Sequence, residues 1–178
     1  PRLFSLVLTA FFAIMVIPYW QISNNLYSMK TLRADTDKGT VLYWNNAVGI
    51  NFWNTVNYLR DNTSKDDKLA VFPEGVSINF FAQRDMPLRH YNFVPYEILK
   101  IGEDNIISDL ARFNINYVIV LSRDTSEYGY RAFGIDYAKK LLSYIKENYE
   151  IVKQFGPLPY SSEEFGVVIF RIKIKKGR

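Results

Sequence analysis

The chain contains no cysteine. That excludes disulfides, thiolate catalysis and thiolate metal sites. It contains a single histidine, His90, so a zinc site would lack its usual nitrogen and sulfur ligands. There is no G-x-G-x-x-G, no G-x-x-x-x-G-K-[ST] and no H-E-x-x-H, so the dinucleotide, nucleotide and zinc-peptidase signatures are missing. No internal repeat or low-complexity run is present. The formal net charge is only +4, much of it in the tail Arg171 to Arg178. Without a basic face or a recognised motif, nucleic acid is not an expected partner. No metal and no cofactor is expected. The basic tail suits contact with anionic lipid headgroups or a solubilising terminus.

Apolar residues make up 48% of the chain and aromatic residues 16%, with 13 Tyr and 13 Phe. This richness serves a thick core or sugar-stacking surfaces, and core packing is the simpler account. Leu3 to Trp20 carries no charge and is close to the length of a membrane-spanning helix. Tyr19 and Trp20 form an interfacial aromatic anchor. A signal peptide would have a shorter apolar stretch and end in small residues, which Gln21 to Asn25 do not provide. Arg2 lies on one flank and Lys30, Arg33 and Lys38 on the other, which taken alone leans toward a cytoplasmic domain. The first residue is Pro1, so the chain reads as a piece of a longer protein or a processed one.

The expected organisation is a transmembrane helix at 1–21, a juxtamembrane linker at 22–45 with a short helix near Leu26 to Leu32, and a soluble α/β domain at 46–178. Asp35-Thr36-Asp37 in the linker has the spacing of a divalent-metal pair, but a lone pair in such a context is a weak motif. Ile50, Trp53, Val56 and Leu59 recur at helical spacing. Asn62-Thr63-Ser64 is a glycosylation sequon, meaningful in a secretory setting. Leu69 to Phe72 reads as a strand. It breaks at Pro73-Glu74-Gly75 and opens into a helix from Val76 to Ala82. A helix runs from Asp104 to about Phe113, a central strand covers Asn116 to Leu121, and the clearest helix spans Ile135 to Tyr149. Strands at Glu150 to Phe155 and Val167 to Ile174 close the chain as an antiparallel pair. The alternation implies a three-layer α/β/α sandwich with a mixed, mainly parallel sheet.

A strand that ends in a glycine turn places polar groups at the carboxyl end of a sheet, where open α/β sheets bind ligands. Glu74, Asn79, Arg84, Arg89 and His90 are therefore the candidate ligand-binding residues. Glu74 can accept a sugar hydroxyl or pair with Arg84 or Arg89, and the two arginines can clamp a phosphate. Each has a plain structural alternative, as a capping group or a surface charge. The loop Ser122 to Gly134 also follows a strand and is expected beside the Pro73-Glu74-Gly75 turn. Gly75-Val76-Ser77-Ile78-Asn79 lacks the second glycine of a nucleophile elbow, which leaves a Ser77–His90 hydrolase as the weakest reading. No residue is assigned a catalytic role.

Several of these segments together resemble one family. They are Lys68-Leu69-Ala70-Val71-Phe72-Pro73-Glu74-Gly75, Ile78-Asn79-Phe80-Phe81, Pro87-Leu88-Arg89, Asn116-Tyr117-Val118-Ile119-Val120 and Phe155-Gly156-Pro157, placed after an uncharged helix that ends in aromatics. The pattern is similar to the C-terminal end of GT-C membrane glycosyltransferases of the protein-mannosyltransferase-like type. The resemblance implies a last membrane helix followed by a small α/β domain on the extracytoplasmic face. It implies transfer of a sugar from a polyprenyl-phosphate donor to a glycan or protein acceptor. It also implies a catalytic carboxylate in an early extracytoplasmic loop that this sequence does not include. The domain's implied role is accessory: binding acceptor, covering the membrane cavity or contacting a partner. A single-span anchor carrying a glycan- or protein-binding module is the alternative.

Overall fold

The computed structural model describes residues 2–174. Lys175, Lys176 and Arg178 of the basic tail lie outside the described residues. Two compact units divide the chain after Asn46.

In the first unit, α1 (Arg2–Ser28) is one helix of 27 residues that includes Pro18. It is long and apolar enough to cross a membrane, and none of its apolar window is buried. The polar segment after it is not an open linker. The helix runs on to Ser28, and β1 (Leu32–Thr36) and β2 (Gly39–Tyr43) then form an antiparallel hairpin. Gly39 takes φ +120°, where a side chain is disfavoured. The Thr36 hydroxyl donates to the Gly39 carbonyl at 2.7 Å, and Thr40 Oγ1 donates to Asp35 Oδ1 at 2.7 Å. Asp35 of the Asp-x-Asp pair thus braces a turn.

The second unit is a four-stranded sheet with helices. Its elements are α2 (Ala47–Asn62), β3 (Leu69–Phe72), α3 (Val76–Ala82), α4 (Pro95–Ile101), α5 (Glu103–Arg112), β4 (Tyr117–Leu121), a short 3-10 turn at Ser126–Tyr128, α6 (Lys139–Asn148), β5 (Tyr149–Phe155) and β6 (Val167–Ile172). Strand order is β3-β4-β6-β5. The fold is α/β with a mixed sheet, but the sheet is not mainly parallel. Only β3 and β4 run parallel, while β6 is antiparallel to both β4 and β5. The reason is the insertion of β6 between β4 and β5. One hairpin, closed by the loop between Phe155 and Val167, thereby reverses both remaining pairings.

Side chains alternate across each strand, and the buried ones sort into two clusters accordingly. Ala70, Phe72, Val118, Val120, Val168 and Phe170 pack with Ile98, Ile106, Leu110, Leu141 and Ile145 of α4, α5 and α6. Leu69, Val71, Ile119, Leu121, Val167 and Ile169 pack with Leu59 of α2 and Ile78 and Ala82 of α3. β4 and the first four residues of β6, Val167 to Phe170, are therefore apolar without a break, as strands buried on both faces must be. β5 is mostly exposed and carries a register irregularity at Ile151/Lys153, both common features of an edge strand.

The last helix starts later than its apolar stripe suggests. The Asp136 carboxylate accepts from the backbone N–H groups of Arg131 and Ala132 at 3.1 and 2.9 Å, closing a turn. Gly134 and Ala138 both take positive φ, so α6 begins only at Lys139. One of its free N-terminal donors is met from outside. Glu103 Oε2 accepts from Leu141 N at 2.6 Å, and the helix dipole favours that negative charge.

Candidate functional site: the carboxyl-end rim of the parallel strands

β3 and β4 run parallel and in register, Phe72 beside Val120. The residues that follow each strand must therefore emerge together. Glu74 and Arg123 do so, and Arg123 Nε donates to Glu74 Oε2 at 3.2 Å. The expected neighbourhood of the Pro73-Glu74-Gly75 turn and the loop after Asn116 to Leu121 is present. Glu74 pairs with Arg123, not with Arg84 or Arg89. Arg123 also donates to Glu127 Oε1 at 2.5 Å and to the Asp124 carbonyl. Arg131 extends the pattern, lying 3.5 Å from Asp124 Oδ2 and 2.6 Å from Glu163 Oε2. Around them the rings of Tyr96 and Tyr128, both exposed, meet at 5.6 Å.

The electrostatics of this rim are those of mutual neutralisation. Partial burial works against the charge on Arg123, but hydrogen bonds to Glu127 and Glu74 outweigh it and raise the guanidinium's pKa. The Ser126 hydroxyl and then its amide hold Asp124 below the ordinary carboxylate range. The Arg131 hydrogen bond lowers Glu163 in the same way. A carboxyl poised as a general acid would be shifted upward instead. Burial raises Tyr137 and Tyr160. Tyr160 uses its hydroxyl to donate to the Arg123 carbonyl at 3.1 Å, so it positions the loop. The arrangement can bind polar or sugar-like groups along paired charges and tyrosine faces. It has no nucleophile–base pair, and among the described residues no group of three His, Asp or Glu side chains could hold a metal ion.

The other candidate residues lie elsewhere. Arg84 is only 7% exposed and its donors are spent. Nε donates to Thr63 Oγ1 at 2.8 Å, Nη1 to the carbonyls of Ala82 and Gln83, and Nη2 to those of Leu59, Arg60 and Thr63. These carbonyls lie at the carboxyl ends of α2 and α3 or on the residue just after each, where helical N–H partners run out. Two helix carboxyl ends thus hold one buried cation with their dipoles. Asn79 is 5% exposed. Its amide nitrogen donates to the carbonyls of Leu69 and Arg84, both at 3.3 Å. It therefore supports the amino end of β3, the end opposite Glu74. Arg89 and His90 share a separate cleft with Lys100, Asn105 and Asp109, beside α4 and α5. Ser77 sits on α3, whose buried side chains belong to the other face of the sheet. The five candidates do not converge on one site.

Sequence reasoning missed two features. One is Arg123, the partner of Glu74. The parallel pairing of the two strands would have named it, since each residue lies two positions past its strand. The other is a groove of about 750 Å³ on the β5–β6 side, walled by Phe133, Ile135, Leu142, Ile151, Leu158 and Phe170. No protein-family model, curated protein or solved structure matches this chain.

Proposed function

We propose that this chain is the membrane-anchored C-terminal part of a polyprenyl-phosphate-dependent glycosyltransferase, with its α/β unit extracytoplasmic and accessory to catalysis. The observation that carries the reading is a pairing of features. A wholly unburied apolar helix precedes an α/β unit whose charged groups at the usual ligand-binding end neutralise one another. Such an end suits contact with a glycan or protein acceptor and offers no proton-transfer machinery. In this reading α1 spans the membrane, and the two helix sets on the sheet make a three-layer α/β/α sandwich.

Two measurements test it. The full chain, reconstituted in nanodiscs with a polyprenyl-phosphate mannose and an acceptor peptide, is expected to transfer no sugar. Transfer by this chain alone overturns the accessory role. Because the chain has no cysteine, a Lys65→Cys variant reports membrane side cleanly. An impermeant maleimide is expected to label it on intact cells, and labelling only after lysis overturns the extracytoplasmic placement.

A second reading, a single-span anchor for a glycan- or protein-binding module, is favoured by the exposed Tyr96–Tyr128 pair beside Glu74 and Arg123. It predicts ligand capture that Glu74→Ala weakens. Unchanged capture in that variant removes the rim as its site.

A further inference from the structure

The groove beside α6 belongs to neither reading. It runs along the β5–β6 edge of the sheet from Ile135 and Leu158 at one end to Lys146 and Lys173 at the other. Its volume, about 750 Å³, is that of a small-molecule site. Ile135, Ile151 and Leu158 on its walls are 52%, 56% and 49% exposed, so the apolar wall meets solvent.

Its polar atoms are turned away from the space they border. Tyr149 donates its hydroxyl to the Ile115 carbonyl at 3.2 Å, Tyr160 to the Arg123 carbonyl at 3.1 Å, and Ser161 to the Leu158 carbonyl at 2.7 Å. Glu150 is paired with Arg171 at 2.7 Å. Lys173 caps α6 through the carbonyls of Lys146 and Glu147 at 3.2 and 2.6 Å. The Lys146 ammonium has no partner among the described residues. An occupant therefore meets an apolar wall without directional hydrogen bonds, and a positive end. A hydrocarbon chain needs no hydrogen bond from these side chains, whereas a peptide strand would have to pair with the free edge of β5.

We propose that the groove is a binding site for the aliphatic chain of a single-chain anionic amphiphile, with its head group at Lys146. The site stands on its own residues and does not depend on the glycosyltransferase reading.

The test uses the full chain in phosphatidylcholine nanodiscs and a fatty acid bearing a terminal photoreactive diazirine. Adducts are expected on peptides carrying Ile135, Ile151 or Leu158. Ile151→Glu is expected to reduce them at least about tenfold, since it places a charge in the apolar wall. Leu158→Glu serves as a second wall variant at an exposed position, and an unchanged melting curve certifies the fold of each. Lys146→Glu is expected to weaken capture of the fatty acid while sparing displacement by uncharged oleyl alcohol. Displacement by oleate assigns an acyl source, and displacement by farnesyl phosphate alone assigns an isoprenoid one. Adducts confined to α1, adducts undiminished in both wall variants, or displacement by neither competitor overturns the proposal. Loss of the site leaves the absence of sugar transfer untouched, so failure here and failure of the glycosyltransferase reading are separable.

Discussion

The two ends of β3 hold arginines in opposite settings. At the amino end Arg84 is buried, has no carboxylate partner among its hydrogen bonds, and is held by five backbone carbonyls and a threonine hydroxyl. At the carboxyl end Arg123 is 39% exposed in its side chain and is held by Glu74 and Glu127. The first replaces hydration with fixed helix-end dipoles, and the second shares its charge with mobile water. The difference separates stability from recognition. A cation whose donors are all committed inside the fold cannot clamp a phosphate. A cation at a half-open rim can exchange partners with a ligand at small cost.

Arg84→Met is the sharpest way to break this contrast. It leaves up to four carbonyls unmet at once, since Leu59 also accepts from Thr63 Oγ1, and each unsatisfied group shielded from water is costly. We expect a loss of about 3 kcal/mol or more, seen as a drop in melting temperature of roughly 10 °C. Arg84→Lys is expected to recover only part of it, because an ammonium cannot fork to two helix ends. A melting temperature within about 2 °C of the parent chain would show that the guanidinium contributes little to stability. Next in size is Tyr149→Phe. It removes a buried hydroxyl that donates to Ile115 and that burial protects from ionising. About 1 kcal/mol of destabilisation is expected, read from the midpoint of denaturant unfolding.

Local periodicity made the helices α2, α3 and α5 and the strands β3 and β4 legible, because each has one consistent apolar pattern. The pairing order was not legible, since strand neighbours are a tertiary fact. A trace of it was present. Val167-Val168-Ile169-Phe170 is as unbroken as Tyr117 to Leu121, which marks a strand covered on both faces. Glu150 to Phe155 is interrupted by Lys153 and Gln154, as an edge strand often is. The start of α6 was hidden because a side-chain turn at Asp136 overrides an apolar stripe that begins at Ile135. In sequence Arg84 reads as a phosphate clamp or a surface charge, because its actual partners are carbonyls at the ends of two helices, which leave no mark in sequence. The groove was invisible for a similar reason. Its walls come from α6, two loops and three strands.

The smallest effects are expected at the carboxyl-end rim, and they sharpen the comparison by their conditions. Glu74→Gln removes an ion pair between half-exposed groups, so the stability change should stay under about 1 kcal/mol. Raising salt to 1 M, where the screening length falls to about 3 Å, should erase that difference and leave the Arg84→Met loss in place. Acid should separate the two ends as well. Asp124 and Glu163 are lowered in the folded state, so their contribution is present above their unfolded pKa values, near 4. It is lost as pH falls through the lower folded values. An NMR titration of the side-chain carboxyls should therefore give midpoints below the ordinary Asp and Glu range for both. Amide protection at Ser126, which donates to Asp124, should weaken over that window while Arg84 keeps its contacts. Ordinary midpoints for both carboxyls would mean that the rim's ion pairs do not persist in solution. Its loop would then be held by Asp136, by Tyr160 and by the Thr125 hydroxyl, which donates to the Tyr130 carbonyl.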